Sequence, residues 1–158
     1  MARQRPPVEC GLPFVYWVFG RPVSIGSDDS RKPRGLAIWR EKVKAALAEA
    51  VADASKDRGF ILIESLVEVQ ISWMSTNPTD HSQPDLDNVL KPFIDAFNGT
   101  VIVDDRQVHR IVAEKFDINS PPASIDDIVD DIQADQRYES VPEVTVVRLA
   151  SYSGEDRA

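Results

Sequence analysis

At 158 residues, with 42% hydrophobic and 28% charged side chains, the chain has the size and make-up of one ordinary globular domain. Folding at that length buries roughly 70% of the unfolded chain's surface, enough for a self-sufficient core. The single cysteine, Cys10, excludes a disulfide framework and a cysteine-based zinc cluster. A net charge of −8 speaks against a nucleic-acid binder, which is usually basic.

The apolar run Leu12–Phe19 is too short and too aromatic for a secretory signal, and no small-residue cleavage site follows it. Nothing approaches the length of a membrane span, so a cytoplasmic protein is expected. Leu12–Ile25, rich in Val, Tyr, Trp and Phe and broken by Gly20-Arg21-Pro22, reads as a strand, a turn and a short extended piece. Its aromatics are expected in the core. Residues 27–35 read as a polar loop. From Leu36 to Ala54 the apolar residues Leu36, Trp39, Val43, Leu47, Val51 and Ala54 recur at helical spacing, with Gly59 as a stop.

Leu66–Met74 alternates, with Val67, Val69, Ile71 and Trp73 on one face and Glu68, Gln70, Ser72 and Met74 on the other, so a half-buried strand is expected. After a polar loop, Asp85–Phe97 resumes helical spacing and Asn98-Gly99 ends it. Pro92 is expected near the first turn, because deeper in the helix it removes a hydrogen bond and clashes. Val101–Val103 and Val108–Phe116 read as strand segments flanking Asp104-Asp105-Arg106. Ser124-x-x-Asp127 reads as a weak capping box for a short helix carrying Ile125, Ile128, Val129 and Ile132, and Val144–Leu149 reads as a final strand. The sum is an α/β (mixed α+β) fold of about five strands and three helices, one domain over residues 1–158.

Asp85-Leu86-Asp87-Asn88 sets two carboxylates two residues apart at a helix start, and Asp104-Asp105 adds a second pair after a short apolar run. Alternate side chains of an extended segment project to one side, so the first pair can reach one point. Carboxylates gathered in one place raise each other's pKa unless a cation sits among them. Oxygen-only ligation suits Mg2+ or Mn2+, with no His or Cys cluster to favour zinc. The plainer reading is an N-cap at Asp85 or Asp87 and a turn at Asp104-Asp105-Arg106. His81 and His109 are expected to face solvent.

Pro84-Asp85-Leu86-Asp87-Asn88-Val89-Leu90-Lys91-Pro92-Phe93-Ile94-Asp95-Ala96-Phe97-Asn98-Gly99, followed by Asp104-Asp105-Arg106-Gln107-Val108, closely resembles the core motif of the RusA family of Holliday-junction resolvases. The resemblance implies a small mixed α/β domain, a homodimer, and Mg2+-dependent hydrolysis of phosphodiester bonds in branched, four-way DNA. It places the catalytic residues on Asp85, Asp87, Asp105 and Lys91, and the metal ligands on Asp85, Asp87, Asp104 and Asp105. The plainer role for Lys91 is an ion pair with Asp87 or Asp95 one helical turn away. Members of the family often carry basic residues just before the first aspartate, where this chain has Ser82-Gln83-Pro84.

The charge is uneven. Residues 1–80 hold 11 basic and 10 acidic residues, and residues 81–158 hold 7 and 16. Residues 117–143 alone hold eight acids against Arg137, and read as an acidic insertion before the final strand: a solvated helix, an element that binds a protein partner, or a DNA-mimicking flap. Residues 31–44 are basic, with Arg31, Lys32, Arg34, Arg40, Lys42 and Lys44 against Glu41. With the family resemblance, Arg31, Lys32, Arg34, Arg40 and Lys44 are the candidate DNA-binding residues; the plainer reading is a solvated helix face. The alternative is a non-catalytic DNA-binding or protein-interaction module that keeps this fold. A nucleotide phosphohydrolase would need a Gly-rich phosphate loop, which seven scattered glycines do not supply.

Overall fold

The computed structural model describes residues 8–9, 11–23, 33–56, 60–79, 84–120, 123–135 and 143–153. In chain order the elements are β1 (Val8–Glu9), β2 (Phe14–Phe19), α1 (Pro33–Ser55), β3 (Phe60–Ile61), β4 (Val67–Ser75), α2 (Leu86–Phe97), β5 (Val108–Asp117), α3 (Asp126–Ala134) and β6 (Val144–Ser151). Single 3-10 turns at Asp105–Gln107 and Ala123–Ile125 lead into β5 and α3. β1 and β3 form a two-residue parallel ladder, and the other four strands form one mixed sheet ordered β2-β6-β4-β5. β6 runs antiparallel to both β2 and β4, whereas β4 and β5 are parallel and joined through α2. Parallel neighbours require such a crossover, because a tight hairpin cannot reverse the chain twice.

The alternation read in the strands becomes two cores on one sheet. Phe14, Tyr16 and Val18 of β2, Val67, Val69 and Ile71 of β4, and Val147 and Leu149 of β6 are buried with Trp39, Val43 and Leu47 of α1 and Phe93, Ala96 and Phe97 of α2. On the opposite face Phe19, Met74, Val144 and Val146 are buried with Ile125, Ile128 and Ile132 around α3. Trp39 and Phe93 meet edge to face at 6.0 Å, and Tyr16 and Phe97 at 5.9 Å, so α2 is keyed to both α1 and the sheet. The expected mixed α/β single domain is what the chain forms.

Several details depart from the pattern-based expectations. α1 starts at Pro33, inside the expected loop, because a proline in a first helical turn gives up only an N–H that has no intrahelical partner and has its φ pre-set. α2 starts at Leu86, yet Pro92 lies well inside it, so the expected first-turn proline is corrected. Its ring is buried on the core side with Val89, Phe93, Ala96 and Phe97, so packing offsets the cost of the hydrogen bond that the missing N–H removes. Val101–Val103 is not a strand. Only Ile102 bridges, to Ile63 and to Asn98, since Gly99 takes a φ of +74° and the chain turns tightly after α2. Ile125 is the N-cap of α3 and offers no side-chain acceptor, while the Ser124 side chain, expected to form a capping box, lies outside the described residues. β1 and β3 bring the strand count above the expected five. Among the described residues no helix is long and apolar enough to cross a membrane.

Candidate functional site

The two acidic pairs sit at different stations of the β4-α2-β5 unit. Asp85 is the N-cap of α2 with extended backbone (φ −66°, ψ 144°), but its side chain makes no cap hydrogen bond. Its carbonyl accepts from the Asn88 N–H at 3.1 Å, which closes the first turn. Asp87 lies in that first turn, and both carboxylates are exposed. The plain N-cap reading therefore fails for the Asp85 side chain, which is left to face solvent at the positive end of a helix dipole.

The second pair is built around a true capping box. Asp104 Oδ1 accepts from the Arg106 N–H at 2.9 Å, while the Gln107 side-chain oxygen accepts from the Asp104 N–H at 2.9 Å. The Arg106 amide bond, followed by a hydrogen bond with Asp105, holds the Asp104 carboxyl below its usual range. Gln107 also donates to the carbonyls of Ile63 at 2.7 Å and Ser65 at 2.9 Å, just ahead of β4. The Asp104-Asp105 turn is thus fastened to the end of the sheet where β4 begins. Asp85 and Asp87 follow the end where β4 finishes.

In the chain α2, twelve residues long, lies between the two pairs, and the Asp105–Gln107 turn packs back against it. Among the described residues no group of three or more His, Cys, Asp or Glu side chains gathers closely enough to hold a metal ion. The pairs Asp85/Asp87 and Asp104/Asp105 are each neighbours, but one chain does not draw all four into a single cluster. A pair is still a fitting donor set for Mg2+. That ion keeps several waters and takes one or two carboxylates plus substrate phosphate oxygens.

Lys91 sits on the exposed side of α2, 3.4 Å from Asp95 Oδ1. Arg40 and Lys44 lie one turn apart on the exposed side of α1, and Lys44 Nζ is 3.9 Å from Glu41. Arg31, Lys32, the Arg34 side chain, His81 and Cys10 lie outside the described residues, as does Gly59. His109 is exposed on β5, with its ring 5.4 Å from Tyr152. A groove of about 720 Å3 runs along β2 and the second half of α1, past Tyr16, Ala50 and Asp53. It contains none of these residues.

The acidic segment is not a uniform charged face. Asp127 of α3 pairs with Arg148 of β6 through both carboxylate oxygens, at 3.1 and 3.2 Å. Asp135 accepts from Trp17 Nε1 at 3.2 Å. Glu143 is fully buried and bound by Arg21, Trp73 and Thr76. Sequence reasoning gave no role to Gln107 or Arg21. Gln107 was visible beside the acidic pair, and Arg21 only as part of a turn.

The family model for endodeoxyribonuclease RusA matches residues 25–147, a range that contains both acidic pairs, Lys91 and the whole of the acidic segment. No curated protein matches the chain. The match spans well over half of the 158 residues, and it agrees with the Asp-x-Asp helix start, the Asp-Asp turn and the mixed α/β sheet. The chain belongs to the RusA endodeoxyribonuclease family.

Proposed function

We propose that the protein is a divalent-metal-dependent endonuclease that resolves four-way DNA junctions, acting as a homodimer. The observation that carries this reading is the family match over residues 25–147, with both aspartate pairs and Lys91 present inside it. A symmetric dimer presents two equivalent sites, which suits paired nicks in opposed strands of a branched substrate.

Asp85 and Asp87 are the residues that would hold Mg2+ or Mn2+, with Asp104 and Asp105 as the second carboxylate pair. When bound, the ion polarises the scissile phosphate, lowers the pKa of an attacking water and stabilises the leaving oxygen. Lys91, exposed one turn beyond Asp87, supplies a mobile point charge for the negative charge that develops on the phosphate. Its partner Asp95 is itself half exposed, so the pair is weak and Lys91 is easily drawn to a substrate phosphate. The start of α2 adds a positive dipole end to the same place. Arg40 and Lys44, with Arg31, Lys32 and Arg34, form the DNA-facing basic stretch in this reading.

The test is cleavage of a synthetic four-way junction beside a linear duplex of the same sequence, with Mg2+ and with EDTA. Junction-selective, Mg2+-dependent cleavage that is lost in Asp87→Asn is the expected result. Cleavage that persists in EDTA or in that variant overturns the reading. A second reading, a DNA-binding module without catalysis, is favoured by one observation: among the described residues no three carboxylates gather closely enough to hold a metal ion. Tight junction binding with no cleavage in any divalent ion selects it.

A further inference from the structure

Glu143 is the one fully buried carboxylate among the described residues, and it stands just before β6, at the end of the sheet where β4 finishes. A charge taken out of water needs a full set of donors. Glu143 has them: Trp73 Nε1 donates to Oε2 at 3.1 Å, and Thr76 Oγ1 donates to Oε1 at 3.2 Å. Arg21 adds Nε at 3.3 Å and Nη2 at 3.1 Å, both to Oε1. The Glu143 carbonyl accepts from the Gly20 N–H at 2.8 Å, which pins the start of the Arg21 turn.

Arg21 is not buried with its partner. Its side chain is 47% exposed against 0% for Glu143. Both of its bonds use the Nε–Nη2 edge, and its outer edge, Nη1 with the second proton of Nη2, bonds to nothing among the described residues. A guanidinium fixed on its inner edge and open on its outer edge is pre-organised for bidentate binding of a phosphate.

Two further cations lie against the groups that hold it, Lys42 at Gly20 and Lys115 over Trp73. Lys42 Nζ is 2.8 Å from where a Cβ on Gly20 would lie, so the ammonium sits directly against the turn that carries Arg21; Gly20, at φ +116°, admits this close approach. Lys115 Nζ lies 5.1 Å from the ring centroid of Trp73, whose N–H is on Glu143. Neither lysine is within ion-pairing distance of a carboxylate among the described residues. Asp117, at the end of the same strand as Lys115, turns its carboxylate to the Asn119 N–H at 2.9 Å. On a chain of net charge −8 this is a local surplus of positive charge. It also lies at the end of the sheet from which the chain passes to Asp85 and Asp87.

We propose that Arg21, held in place by the buried Glu143 carboxylate, grips a backbone phosphate of the DNA strand presented to the start of α2, with Lys42 and Lys115 contacting the flanking phosphates. This rests on the DNA-cleaving reading above. Glu143 is a positioning residue and Arg21 the contacting one.

The experiment is equilibrium binding of a synthetic four-way junction by the full-length protein in EDTA, across a KCl titration. Each phosphate contact removed makes the slope of log K against log salt shallower by about 0.9. Arg21→Gln is expected to show that loss, and Arg21→Lys to keep the slope with weaker binding. Glu143→Gln, which frees the guanidinium while leaving it charged, is expected to keep the slope and weaken binding severalfold. Because Arg21→Gln leaves a buried carboxylate short of a partner, Arg21→Gln/Glu143→Gln is measured too. It removes both charges and is expected to melt close to the wild type with the shallower slope. A double variant that binds with the wild-type slope overturns the proposal alone. A wild type that shows no salt-dependent junction binding overturns both the proposal and the nuclease reading.

Discussion

Lys91 lies 3.4 Å from Asp95, four residues further along α2, and the two side chains are 66% and 44% exposed. An exposed pair of this geometry contributes only about 0.3–0.5 kcal/mol. Lys91→Gln is therefore expected to leave thermal stability within about 0.5 kcal/mol of the wild type. If Lys91 stabilises the transition state, the same change lowers the cleavage rate by about 100-fold or more. Asp95→Asn is expected to leave both nearly unchanged. Melting curves and single-turnover cleavage of a junction separate the two roles.

Asp85 and Asp87 are exposed like charges at a helix start, so they gain from a cation and lose little when one of them is neutralised. Mg2+ is expected to raise the melting temperature of the wild type progressively with concentration, as a ligand bound only by the folded state does. Asp87→Asn is expected to abolish that rise while melting at or above the metal-free wild type. Thermal melts with and without 10 mM of the ion, where about tenfold excess over a millimolar affinity adds about 1.4 kcal/mol, check it.

Gln107 ties the Asp104-Asp105 turn to the carbonyls of Ile63 and Ser65 and to the Asp104 N–H. Gln107→Leu leaves these backbone groups without their partner and is expected to cost about 1–3 kcal/mol in denaturant unfolding. It also loosens one acidic pair without removing any carboxylate, so cleavage should fall while Asp105 stays in place. A variant with wild-type stability and wild-type cleavage would show that the turn does not depend on this side chain.

Asp104 gives a pH signature. Its carboxyl is held below the ordinary value of 3.8 by the Arg106 amide bond and then by Asp105, so the folded state binds this proton less readily than the unfolded chain. The stabilisation is present in full above the ordinary value and is lost as pH falls through the lower, folded one. Asp104→Asn is expected to narrow the gap in melting temperature from the wild type as pH drops below about 4. Parallel melts between pH 3 and pH 7 measure it.

The local architecture was legible from residue order alone. Helical spacing from Leu36 to Ala54 and from Asp85 to Phe97, and alternation from Leu66 to Met74, placed α1, α2 and β4 to within a few residues, because burial of one face repeats with the period of the element. The aspartate motif and the family it belongs to were legible in the same way. Only the tertiary structure showed that the Asp85 side chain leaves the start of α2 uncapped while Asp104 closes a capping box, and only packing showed that Pro92 lies inside α2 on its buried face. The charge count misled for the same reason. Glu143 adds to the −8 like any surface acid, yet it is buried and answered by Arg21, 122 residues away. A carboxylate's charge can be read from the chain, but whether water or a distant guanidinium solvates it is decided only when the strands pair.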